Sequence, residues 1–565
     1  MRIKTYSLLI VLVAILNACI DLDREVVTTL QEDQVTESFE FTKNRINAVY
    51  EGLQSGFNPI GDAMSSSATD DAEFTIESSS VQRFNTGNWN ALSNPDDKWY
   101  HYYRAIFNAN RFLETSDNVD LDVYRLDPSP SAQKVFANRL IEIERWKAEA
   151  IFLRAYFYFE LVKRYGGVPI LTRTYEAAED YKDIQRATLD ECISFITAQC
   201  DIAASRLPGE GDYSLSQLGR ATSGAALALK SRVLLYAASD LFNDPSWSTG
   251  FVRPDLIASQ NGQRREKWRA AADAAKEVID LSEYSLDSDY EELFHTFNSS
   301  EIILARREGS SNYFERINYP IGYDLGRSGN TPSQNLVDVY EMADGSSFDW
   351  GNPDHALNPY ENRDPRLQYT VVTNGEVFRE RPVELWTGGR DGQGTERASR
   401  TGYYLQKYVN GDLNLLQDET SVHTWILIRL GEIYLNYAEA LNECDPGNPD
   451  IKEYVDAVRG RSGVEMPPLP EGLSQEQMRE RIRNERRVEL AFEGYRFWDV
   501  RRWMKGAEYF GNPLQGVEVI RRDSAVYDYT PLVVEDRVWN QGMYLYPIPE
   551  SEILQMSGWE QNPGW

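Results

Sequence analysis

Apolar residues recur at helical spacing along most of the chain, and the runs they form predict a mainly α fold. A first helix reads from Thr42 to Leu53 and ends near Gly56 and Pro59; a second runs from Trp99 to Glu114. Lys134 to Tyr165 is the most strongly apolar stretch, with Trp146, Ile151, Phe152, Leu153, Tyr156, Phe157, Phe159, Leu161 and Val162 nearly encircling it. A helix apolar on most sides must be covered by neighbours. It stops at Gly166-Gly167, with Pro169 beyond. Further helices read at Leu189–Arg206, Gly219–Phe242, Glu266–Leu281 and Ile426–Asn442, and Asp456–Arg461 belongs to an antiparallel partner of the last.

The stretch from Arg479 to Trp503 is different in kind. Met478, Ile482, Val488, Ala491 and Phe492 mark one apolar face, and Arg and Glu fill most of the rest. Arg481 with Glu485 and Arg486 with Glu489 stand at helical contact distances, and Gly494 is the expected stop before a short run from Arg496 to Trp503. Arg at this density beside Trp and Tyr predicts an ion-paired joint between helices rather than a catalytic centre.

Three regions lack periodicity. Residues 21–40 read as an extended tether; Ile60–Asn94 is rich in Ser, Asp, Asn and Gly; Gly309–Val422 is rich in Gly, Asn, Tyr and Pro. Loops this long in a compact domain are commonly functional.

The N-terminus predicts a destination. Arg2 and Lys4 precede an apolar run, Leu8–Leu16, too short to span a bilayer, and Asn17-Ala18-Cys19 follows. Ordinary signal cleavage wants a small residue at −3, where this chain has Leu16. Leu-Asn-Ala-Cys instead resembles a bacterial lipobox, in which Cys19 becomes lipidated. The acidic residues Asp21, Asp23 and Glu25 resemble the signal that sends such lipoproteins to the outer face of the outer membrane.

A net charge of −30 leaves little case for nucleic-acid binding. Cys192 and Cys200 lie eight apart on a predicted helix, about 12 Å along its axis and too far for a disulfide. The histidines 101, 295, 355 and 423 form no zinc motif, and GxSxG, Walker A and dinucleotide fingerprints are absent, so no metal, cofactor or catalytic residue is expected. Asp70, Asp71 and Glu73 form the one carboxylate cluster worth inspecting. Plain solvation is favoured, with ligand hydrogen bonding, a glycosidase acid/base pair and a calcium site as alternatives.

The string NERRVELAFEGYRFWDVRRW (residues 484–503) resembles the C-terminal hallmark of the SusD/RagB family. KAEAIFLRAYFYFELVKRYGGVP, NTPSQNLVDVYEMADG, YENRDPRLQYTVV and the closing YLYPIPESEILQMSGWEQNPGW are also similar to family segments, so the resemblance spans the mature chain. It implies a scaffold of TPR-like helix pairs carrying an irregular, loop-rich subregion. The layout is a signal peptide at 1–18, a lipidated tether at 19–40 and one domain at 41–565. Within that domain the scaffold covers 41–308 and 424–505, the loop-rich subregion 309–423, and an irregular C-terminal segment 506–565. The implied function is non-catalytic capture of an oligosaccharide or polysaccharide at the cell surface for a SusC-like TonB-dependent transporter. RagB-like peptide capture and a surface glycoside hydrolase are the alternatives.

In this family the site is fed by an early loop and the later loop-rich region. Sugar rings stack on aromatic faces while amides and charges read hydroxyls. The resemblance therefore implies an aromatic platform, with Arg83, Trp89 and Asn90 as candidates from the first loop and Tyr313, Tyr319 and Tyr323 from the second. Trp350 and Trp386 stand in reserve. Trp89 has a competing role, anchoring its loop to the helix that begins at Trp99.

Overall fold

A computed structural model describes residues 35–565, apart from 176–178, 180, 215–216 and 524–525. The signal peptide, Cys19 and most of the tether lie outside these residues. The tether expected through residue 40 is already helical at Phe39, where α1 (Phe39–Tyr50) begins, capped by Ser38 accepting from Phe41 N.

The scaffold continues through α2 (Trp99–Thr115), α3 (Pro130–Tyr165), α4 (Leu189–Ala204), α5 (Ser223–Ala238), α6 (Arg264–Asp280), α7 (Leu430–Cys444), α8 (Pro449–Arg459), α9 (Gln475–Glu489) and α10 (Arg496–Arg502). From α1 to α8 each helix packs on the next, and α9 packs on α7 and α8. Ala225, Ala228, Ala271 and Ala275, all buried, let α5 and α6 approach closely. α3 starts four residues before the expected Lys134, because Ser129 caps it and Pro130 takes its first turn, where a missing N–H costs nothing. Every residue from Ile151 to Val162 is buried, so the encircling apolar pattern reflects neighbours on all sides. Among the described residues no helix is long and apolar enough to cross a membrane. Cys192, Cys200 and Cys444 are free and buried.

Two expectations of secondary structure are corrected. Residues expected to open the helix at Ile426 instead form a strand, β4 (Thr424–Arg429), paired antiparallel with β2 (Ile302–Arg307), and the helix starts at Leu430. All six residues of β4 are buried, and a continuous apolar run fits a buried strand as well as a helix. The C-terminal segment expected to be irregular carries a long hairpin, β5 (Leu514–Asp523) with β6 (Val526–Glu535). Pro531 argues against a central strand, but a two-stranded ribbon has two edges, and a proline is tolerated there.

The ion-paired joint is present, but neither expected pair forms: Arg479–Glu476 and Arg483–Glu480 run along α9, and the buried pairs run between elements. Arg481 reaches Glu341, Arg486 reaches Asp499, and Glu485 is held by Arg366 and Arg459. Glu489 receives Arg366 (2.9 Å), Arg429 (2.7 Å) and Arg461 (2.6 Å), all buried. Burial alone would raise this carboxyl, but the three guanidiniums hold it far below its usual range. α9 stops at Glu489, five residues before the expected Gly494. Phe492 (φ 59°) and Gly494 (φ 84°) both turn left-handed, so the buried packing of the whole turn, not the glycine alone, sets the end.

Candidate functional site

The early loop and the loop-rich subregion are joined by a short ladder. β1 (Ala72–Phe74) pairs antiparallel with β3 (Asn330–Pro332), Glu73 opposite Thr331. Thr75 continues the contact, its N–H donating to Gly329 O (3.0 Å) and its hydroxyl to Ser328 O (2.9 Å). Gly329 is required there, since a Cβ would stand 2.5 Å from the Ile317 side chain.

Where these segments separate, a cleft of about 810 Å³ opens between residues 75–78, Arg327, residues 393–400 and Leu532 of the hairpin. Arg400 is anchored by Glu73 and by Glu535 (3.2 Å). Burial works against its charge, but these carboxylates outweigh it and keep the guanidinium above its usual value. Arg327 and Arg397 are exposed.

A second cleft, of about 670 Å³, lies between residues 51–59, α2 and the strand-to-loop segment 306–314. Gln54, His101, Arg306 and Tyr313 line it. Burial lowers the His101 imidazole, whose Nε2 is 2.9 Å from Gly52 O. Tyr313 is 41% exposed; burial and Asp62 raise its hydroxyl, while Arg327 pulls the other way. Arg327 thus lines the first cleft and acts on a ring that lines the second.

Of the six platform candidates, Tyr313 alone faces either cleft. Trp89 is 4% exposed, its ring packed on Phe84, Tyr546 and Trp565, so it anchors its loop to the C-terminal segment rather than to Trp99. Tyr319 is fully buried and donates to Asn410 O (2.6 Å). Tyr323 donates to Phe378 O and carries the Arg381 guanidinium on its face at 3.9 Å, so that face is occupied. Arg83 and Asn90 are exposed but bond within their own loop, Arg83 donating to the Ser93 hydroxyl and Asn90 Oδ1 accepting from Leu92 N–H. Trp350 is tied to Asp338 (3.0 Å), and Trp386 packs on Tyr527. Only the first cleft is lined by both the early loop and the loop-rich subregion; the second is lined by residues 51–59 and takes nothing from Ile60–Asn94, and most of the named platform is buried or already bonded within the protein.

The carboxylate cluster is not solvated. Arg496 holds Asp70 through two bonds (2.9 and 2.8 Å), and Arg487 lies 2.8 Å from both Asp70 and Asp71. Burial pushes both carboxyls up; at Asp70 the arginines prevail and lower it, whereas Asp71, beside the Asp70 charge, stays raised. Glu73 is raised by burial against the pull of Arg400. The cluster serves as an ion-paired joint, which also removes it as a calcium site, and no metal-binding group of side chains occurs among the described residues.

Comparison with known proteins decides the family. The SusD family model matches residues 300–565, and the model described as "Starch-binding associating with outer membrane" matches residues 27–235. The chain is a SusD/RagB family protein. SusD-like protein P38 of Formosa agariphila is 22% identical over 548 residues, 91% of this chain and 94% of its own. SusD-like protein P2 of the same organism is 24% identical over 427 residues, 74% of each chain. Among solved structures, a SusD-like protein from Bacteroides fragilis superposes with a TM-score of 0.77 at 28% identity, covering 95% of this chain and 99% of its own. A laminarin-binding SusD-like protein shares the fold with a TM-score of 0.62 at 23% identity, over 94% and 100%. The SusD scaffold is TPR-like, as the helix pairs here are. Thr75–Ser78, Arg327, Arg397 and Arg400 were not legible as site residues. GTERASR (residues 394–400) is a polar stretch like many others, and only the fold shows it beside the early loop, where Arg400 pairs with Glu73.

Proposed function

We propose that this SusD-family protein is a non-catalytic, lipid-anchored binding protein that holds a glycan in the clefts described above. From there it passes the glycan to a SusC-like TonB-dependent transporter. The observation that carries this reading is the cleft of about 810 Å³ between the early loop and the loop-rich subregion, with a second of about 670 Å³ beside residues 51–59 and 306–314, in a member of a carbohydrate-binding family. Cavities of this size suit ligands of several sugar rings. The carboxylates that could have served a hydrolase, Asp70, Asp71 and Glu73, are engaged by arginines, which favours capture over turnover. Tethering beside a transporter raises local ligand concentration without any new contact.

Calorimetry with a panel of polysaccharides tests the reading. Tyr313→Ala should weaken glycan binding by roughly 1–3 kcal/mol, as loss of a stacked ring does elsewhere, with little change in melting temperature. Release of reducing ends from any bound glycan would replace capture with hydrolysis. Co-purification from detergent-solubilised outer membrane tests the transporter, and recovery of the protein always alone counts against it. Cys19→Ala should free the protein from the membrane fraction.

A further inference from the structure

The larger cleft has a charge character at odds with its protein. The chain carries a net charge of −30, yet this cleft is lined by three arginines, 327, 397 and 400, against one carboxylate, Glu77. None of its lining residues is aromatic; the larger apolar side chains are Ile76 and Leu532. A site for a neutral sugar needs a ring face to stack on. This one offers guanidiniums instead.

The three arginines differ in how far they are committed. Arg400 is held by Glu73 and Glu535, with Glu77 at 4.0 Å, so it is fixed in place. Arg327 makes no ion pair among the described residues, and its charge is available. Arg397 has only its exposed neighbour Glu396 at 3.8 Å, and exposed pairs of this kind hold a side chain only weakly. Its backbone is left-handed (φ 65°), a conformation that costs an arginine more than a glycine or asparagine.

Resting on the glycan reading above, we propose that this cleft takes the carboxylate or sulfate group of an anionic glycan, with Arg327 and Arg397 as its recognising cations and Arg400 as the fixed third. Guanidiniums present paired N–H donors that match both oxyanions. The overall negative charge does not forbid this. At physiological ionic strength charges are screened beyond about 8 Å, so an anion in the cleft responds chiefly to nearby groups: Glu73 and Glu535 offset Arg400, which leaves Arg327 and the weakly paired Arg397 as the net local cations.

The test is calorimetry on the purified full-length chain with three probes: an oligogalacturonate (carboxylates), a dextran sulfate oligosaccharide (sulfates) and laminarin oligosaccharides (neutral). Arg327→Gln/Arg397→Gln changes two exposed side chains and should leave the fold intact. The wild type should bind at least one charged probe more tightly than laminarin, and which one separates uronate from sulfate ester. The double variant should lose roughly tenfold or more of that affinity, with laminarin unmoved. Glu77→Gln, also exposed, should bind the charged probe more tightly. Laminarin bound as well as the charged probes, with the double variant indistinguishable from wild type, overturns the anionic site and leaves glycan capture standing. Failure to bind all three overturns both.

Discussion

At the scale of single residues, the buried charges carry the most. Glu489 accepts from three arginines that have no water to turn to. Removing one partner of a buried pair costs about 3–5 kcal/mol, because the other is left uncompensated. Glu489→Gln should therefore lower stability by several kcal/mol in denaturant unfolding; a loss under about 1 kcal/mol would mean the arginines find other partners. Trp89 is buried too, but holds its place by ring packing rather than charge. Trp89→Ala should cost about 3–5 kcal/mol as a cavity mutation, while the folded fraction keeps its glycan affinity. A selective loss of binding with unchanged stability would return Trp89 to the site.

Among elements, the end of α3 is the most constrained. Gly166 has φ 72° and ψ −141°, a region open essentially to glycine, and a Cβ there would stand 2.4 Å from Leu256 O. Gly166→Ala should cost at least roughly 1–3 kcal/mol of strain, read as a lower melting temperature; an unchanged one would show that the turn relaxes. Helices of this kind were legible because periodicity is a local signal: α2 begins at Trp99 and α4 at Leu189, as their apolar spacing predicts. β4 was not, since TWILIR satisfies both a strand and a helix until its partner Ile302–Arg307 is known. The ion pairs were half legible. Composition pointed to a joint, but Arg481 could be matched to Glu341 rather than Glu485 only in three dimensions. The clefts were least legible, because an arginine carries no sign of whether it will face a carboxylate, like Arg496, or open space, like Arg327.

Over the whole molecule, the buried carboxylates set an acid limit. Glu160 and Glu439 are both brought down to about 2 from 4.5: burial would raise them, but Lys163 and Arg164 at the first, and Arg502 and Arg486 at the second, outweigh it. A folded-state value below the unfolded one means the contribution is complete above pH 4.5 and drains away as pH falls toward 2. Stability should therefore decline across that window, each group supplying on the order of 3 kcal/mol. Glu439→Gln should flatten the decline while lowering stability at neutral pH. A variant with the same acid slope as wild type would assign the loss to other groups.

The ladder between β1 and β3 also bears on the order in which the molecule is made. Glu73 and Thr331 are 258 residues apart, and ribosomes add about 5–20 residues per second. The first strand therefore emerges between about ten seconds and a minute before its partner exists. During that interval a buried strand of the finished protein has a bare edge, the feature that invites pairing with other chains. Any delay that lengthens that interval, at synthesis or before folding, therefore lengthens the exposure of this edge.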